Sequence, residues 1–215
     1  MPETLSIQDR IALLVSTKAA PFASNETRAS YIGFFGEPPT ASSIAALLEV
    51  LEADQLITRR PRSGWKLTAA GQATIRAAFD ELLDDRTFGV VDDAYHAFLP
   101  LNHRFKTVCT HWQLRLQETG YVPNDHSDAS WDAGVRSEFS ALHDEVMALI
   151  EELEAVAPQY RFYRQAFERA IERFSQGELD ALLAPMTGSY HDHVMEFHSD
   201  LMTLLGRERT EADGD

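Results

Sequence analysis

The chain of 215 residues is 44% hydrophobic and 25% charged, enough apolar material for a folded core in one large domain or two small ones. No apolar run approaches the roughly 18 residues that cross a membrane, and Met1-Pro2-Glu3-Thr4 lacks the basic and apolar regions of a secretory leader. The lone Cys109 excludes an internal disulfide, so a cytoplasmic protein is expected.

The formal net charge of −15 opposes binding of the whole chain to a polyanion, but the charge is unevenly spread. Residues 1–80 balance eight basic against eight acidic side chains, so all of the excess falls on the remainder. Such asymmetry implies two parts with different jobs. Residues 5–17 place Leu5, Ile11, Leu13 and Leu14 at helical spacing and predict a first helix; 25–34 predict a second, closed by Gly36, Pro38 and Pro39. Thr40 is suited to cap a third helix from Ala41 to about Asp54, with Ile44, Leu47, Leu48 and Leu51 on one face. Leu56–Arg60 predicts a short strand, Pro61-Arg62-Ser63-Gly64 a turn, and Trp65–Leu67 the returning strand. Thr68 then caps a helix through Leu83. From residue 90 the spacing predicts helices over 92–118, 129–156, 160–175 and 178–206, interrupted by a polar loop at 123–128 and by Ala157-Pro158, with no strand. The polar tail Arg207–Asp215 reads as disordered.

Three helices, a basic hairpin and a further helix form the order of a winged helix-turn-helix, a fold that sets its third helix in the DNA major groove. Arg59, Arg60, Arg62 and Lys66 are candidates for phosphate contact, and Thr40, Ser42 and Ser43 for contact from the third helix. That helix has no Arg, Lys, Asn or Gln from Ala41 to Asp54, so the usual donors to guanine and adenine are missing from it. Sequence preference then comes from the hairpin and from dimer geometry, or the fold serves protein contact instead.

In the acidic part, Asn102, Phe105, Cys109 and Trp112 share a helix face, and an amide in an apolar stripe needs a partner. The loop holding Asn124 and His126 packs amide, carboxylates and imidazole together, with Ser127 or Asp128 suited to cap the next helix. His143 shares a face with Phe139, Met147 and Ile150, and His191 and His198 lie seven residues apart on one face. Asn102, Trp112, Asn124, His126, His143, His191 and His198 are therefore the candidate ligand-binding residues. The H-x-H of His191 and His193 diverges by about 200° on a helix, H-E-x-x-H is absent, and no nucleophile–base pair or Gly-rich phosphate loop is seen. No enzyme, metal or cofactor is assigned.

Gln55–Arg59 and Trp65-Lys66-Leu67-Thr68-Ala69-Ala70-Gly71 resemble the strand and the "W/Y-x-L-T-x-x-G" return of MarR and PadR type regulators, over about 70 residues. FLPLNHRF, NDHSD and SYHDHVMEFHSDL resemble an actinobacterial MarR-type group. The acidic part is similar to the helical effector domains of GntR-type regulators, which often hold a metal through an Asp and three His spread over several helices. Asp92-x-x-x-His96, His143 and His191 stand in that order, and 170–179 resembles the joint before their last histidine. These resemblances imply a mainly α protein with a winged helix-turn-helix at 1–84, an all-helical ligand-binding and dimerisation domain at 90–206, and a tail at 207–215. They imply a homodimeric transcriptional regulator that binds DNA and a small-molecule effector and no membrane. The alternative is a winged-helix protein-interaction module without sequence-specific DNA binding.

Overall fold

A computed structural model describes residues 7–21, 23–33, 39–61, 64–82, 84–117 and 120–207. Helix α1 (Ile7–Ala19) buries Ile11 through Thr17 without a break, so it is covered on nearly every side. It packs against α2 (Asn25–Ile32), against α4 (Ala69–Leu82) and, far along the chain, against α9 (Tyr190–Leu204). Ser24 caps α2 by accepting a hydrogen bond from the Thr27 amide at 3.1 Å. Thr40 caps α3 (Ala41–Ala53) in the same way, from Ser43 at 3.1 Å, and Ile44, Leu47, Leu48 and Leu51 form the buried face that the sequence predicts.

Strands β1 (Ile57–Arg60) and β2 (Gly64–Leu67) pair antiparallel in the register Ile57 with Leu67 and Arg59 with Trp65. The Thr68 hydroxyl caps α4 through the Gly71 amide at 3.1 Å and donates to the Gln55 carbonyl at 2.6 Å, tying the helix start to the strand entry. Gly71 is required there: a Cβ on it would stand 2.1 Å from the Leu56 carbonyl oxygen. The threonine and glycine of the return thus hold one close approach between β1 and α4.

The remainder is mainly helical. Asp84 caps α5 (Asp85–Gln113), which starts earlier than the spacing predicts and passes through Pro100. The expected helix over 92–118 ends at Gln113. Strands β3 (Leu114–Gln117) and β4 (Gly120–Pro123) pair antiparallel, Leu114 with Pro123 and Leu116 with Tyr121, so this part is not all-helical. Leu114 and Leu116 continue the apolar pattern of α5, which hid the switch of period. Helix α6 (Ala129–Glu154) begins at its cap Asp128 and packs along α5, and a 3₁₀ turn at Pro158–Tyr160 leads into α7 (Arg161–Ser175).

The helix expected over 178–206 is two helices, α8 (Asp180–Leu183) and α9. Pro185 has no amide hydrogen to continue α8. Met186 and Gly188 take positive φ, 61° and 66°, and Ser189 and Asp192 close a capping box at the new start. Among the described residues no helix is long and apolar enough to cross a membrane.

Two buried polar residues of α2 join the first helices to each other and to α9. Arg28 is 1% exposed and donates to the carbonyls of Ala20 at 2.8 Å and Pro21 at 3.2 Å and to the Ser16 hydroxyl at 3.2 Å, closing the C-terminal end of α1. Burial lowers its basicity to about 10, which a nearby Glu196 opposes. The Tyr31 hydroxyl donates to Asp200 at 2.9 Å; Asp200 lies on α9 and has no exposed surface. Burial pushes the Asp200 carboxyl up to about 7, while the Tyr31 and Tyr163 hydroxyls and the Lys18 ammonium pull the other way.

Gly71→Ala is expected to lose roughly 2–4 kcal/mol in denaturant unfolding, because backbone must move to admit the methyl; a loss under about 0.5 kcal/mol would show that no such approach exists. Asp200 favours the folded state most when protonated, so its contribution is full below the unfolded carboxyl range near 4 and is lost as pH rises through about 7. Asp200→Asn is therefore expected to be more stable than the parent by roughly 1–3 kcal/mol at pH 8, with the gap closing toward pH 4, as read by melts across that range.

Candidate functional site

The basic hairpin is built from the inside outward. Ile57 and Leu67 are buried and pin one end of the β1–β2 ladder, which leaves Arg59, Arg60 and Lys66 exposed. The Arg59 amide donates to Glu52 at 3.0 Å and the Trp65 amide to the Pro21 carbonyl at 3.1 Å, so the hairpin is tied both to α3 and to the α1–α2 joint. The Arg59 guanidinium lies 5.6 Å from the Trp65 ring centre. Among the described residues Arg59, Arg60 and Lys66 form no ion pair. Elsewhere arginines do, Arg10 with Asp54, Arg104 with Glu145, Arg164 with Glu154 and Arg207 with Asp92. Arg62 lies outside the described residues.

Beside the hairpin stands α3. Two of its three candidate hydroxyls are engaged with each other, Thr40 and Ser43 at 2.9 Å across the cap. Ser42 is exposed and continues into a solvent-facing stripe of Ala46, Glu49 and Ala53, with Val50 alongside. This face carries no cation and no amide side chain.

The seven candidates of the acidic part fall in separate places. Asn124, His126 and Trp112 come together where α5 ends. The Asn124 side chain donates to the Trp112 carbonyl at 3.1 Å and to Asp132 at 2.8 Å, and its amide to the Gln113 carbonyl at 2.7 Å. Trp131 donates to the His111 carbonyl at 2.8 Å, so residues of the loop and of α6 cover three terminal carbonyls of α5. The His126 ring lies 3.0 Å from Asp132 and packs on Trp112, whose far neighbour is the Arg136 guanidinium at 5.1 Å.

His143 meets the Tyr190 hydroxyl at 3.3 Å, and Phe105 packs on both Tyr190 and His191. Burial lowers the basicity of His143, against Asp144 and Glu168. His198 is buried and stacked with Tyr95, and Asn102 is buried on α5 a turn from Phe98 and Phe105. Asp92 is held by Arg207 at 2.6 Å and by His96. No set of three metal-ligating side chains converges among the described residues. Burial pushes the Cys109 thiol up to about 12.

Sequence reasoning missed a cleft of about 850 Å³ between the α1–α2 joint and the α7–α9 layer. Ala20, Ser24 and Thr27 line one wall, and Phe162, Arg169, Met186, His191 and His193 the other. His193 sits 3.1 Å from Glu196, and Arg173 fixes the rim by donating to Glu178 at 2.9 Å and to the Gly188 carbonyl at 2.9 Å. Only His191 of the seven candidates reaches this cleft. The three-residue spacing of His193 and Glu196 on a helix was the available signal, but it named no opposite wall.

No protein-family model, curated protein or solved structure matches the chain. Asn124→Ala removes the side-chain bonds at the end of α5 and is expected to destabilise the fold by about 1–3 kcal/mol in denaturant unfolding; an unchanged midpoint would mean that water replaces them at no loss.

Proposed function

We propose that the chain is a ligand-responsive transcriptional regulator, with a winged helix-turn-helix over 1–84 that binds DNA and a helical part over 90–206 that dimerises and responds to an effector. The observation that carries this reading is the set of exposed cations on the β1–β2 hairpin, which have no ion pair among the described residues in a chain of net charge −15. An acidic protein that leaves Arg59, Arg60 and Lys66 unneutralised beside an exposed helix carries a local footprint for phosphate. The hairpin's ties to α3 and to the α1–α2 joint support it, because phosphate contacts set the orientation of a recognition helix only when both are rigidly joined.

The effector is proposed to occupy the cleft between α1–α2 and α7–α9, where a ligand touches the DNA-binding part and the helical part at once. The cation-free face of α3 favours a second reading, a protein-interaction module in which the hairpin meets an acidic partner.

The two are separated by titrating the protein into duplex DNA from its own upstream region at 50 and 200 mM salt. The regulator binds, weakens steeply with salt, and loses about two to three units of the log–log salt slope in an Arg59→Ala, Arg60→Ala, Lys66→Ala variant. No binding at 50 mM salt, or a slope that the triple variant leaves unchanged, overturns it.

A further inference from the structure

We infer that the exposed face of α3 reads thymine methyl groups and a cytosine amino group in the major groove, so that the preferred DNA site presents thymines and a C·G pair to this helix. The inference rests on the DNA-binding reading above.

At 100° per residue, Ser42, Ala46, Glu49 and Ala53 fall within one narrow solvent-facing strip of α3, and Val50 borders it. Val50 is 47% exposed, an isopropyl group turned to solvent while the opposite face buries Ile44, Leu47, Leu48 and Leu51. Thr40 and Ser43 are spent on the cap, so the strip offers methyl surface, one hydroxyl and one carboxylate. It has no donor strong enough for the O6 and N7 acceptors of guanine. Its apolar groups match the one apolar feature of the major groove, the 5-methyl of thymine.

The carboxylate narrows the choice further. Glu49 is exposed and has no ion pair among the described residues, whereas Glu52, a turn away, is held by the Arg59 amide at 3.0 Å. A free carboxylate is repelled by phosphates and gains only where it accepts from an exocyclic amine. Cytosine presents its amino group with an acceptor on one side only, the O6 of its paired guanine, whereas adenine's lies between its own N7 and the O4 of its paired thymine, so cytosine is the better match. Attraction to the duplex comes from Arg59, Arg60 and Lys66, which frees the helix face from supplying charge.

The test selects binding duplexes from a random pool with the full chain at low salt, then replaces thymine by deoxyuridine in the recovered site, which deletes the methyl and keeps every hydrogen bond. Affinity is expected to fall about fourfold for each methyl contacted, and Glu49→Gln to move the preference at one position from cytosine to adenine with the salt slope unchanged. Recovery of sites that bind equally well with deoxyuridine and keep the same base preference with Glu49→Gln overturns the inference and leaves DNA binding standing. Failure to retain any duplex overturns the DNA-binding reading itself, and the inference with it.

Discussion

Asp200 has no exposed surface and takes a hydrogen bond from Tyr31 at 2.9 Å, joining α2 to α9 across 169 positions of sequence. A carboxyl in that setting is tolerable only while its neighbours hold it, and Tyr31, Tyr163 and Lys18 all act in that direction against burial. Around it the apolar side chains form one continuous cluster, from Leu13 and Ile32 near the start to Phe197 and Leu201 near the end. Arg28 fixes the other side of the same seam by closing α1. The placement of the β1–β2 hairpin follows from this, since the Trp65 amide is anchored on Pro21, one of the two carbonyls that Arg28 holds.

The cleft opens at the edge of that seam. Its walls include Ser24 and Thr27 from the cap of α2 and His193 and Glu196 from α9, and Glu196 is also the carboxylate that acts on Arg28. Under the function proposed above, a ligand there would bear on the groups that orient the hairpin and α3. Coupling of this kind needs only a ligand that prefers one arrangement of the seam.

Deeper in the helical part, polar residues that looked available for a ligand are tied into the framework. Asn124 and Trp131 satisfy the end of α5, Asp132 gathers Asn124 and His126, and Tyr190 stands among Phe105, Phe139, Phe167 and His143. The β3–β4 hairpin has a plain cause in this arrangement: it turns the chain back so that Asn124 reaches the carbonyls that α5 leaves open.

The sequence by itself determined what local chemistry controls. Thr40 as a cap, the buried face Ile44, Leu47, Leu48 and Leu51, the two strands that carry Arg59 and Lys66 and the start of α4 after Thr68 were all legible, because caps, strand patterns and helical period act over a few residues. The cations of the hairpin and the cation-free face of α3 were legible as residue types in a local pattern, whereas the lack of an ion pair at Arg59, Arg60 and Lys66 among the described residues belongs to the folded chain. Tertiary structure alone decided the rest. Leu114 and Leu116 fit a helix as well as a strand until the ends of α5 needed partners, and Pro185 with Gly188 broke a periodic run that apolar spacing had carried through. Nothing near Arg28 or Asp200 in the chain marks either as buried, and the walls of the cleft come from segments more than 130 residues apart. Periodicity tells which face of a helix is covered; only the folded chain decides which distant residue covers it, and with that the burial, the charge state and the site.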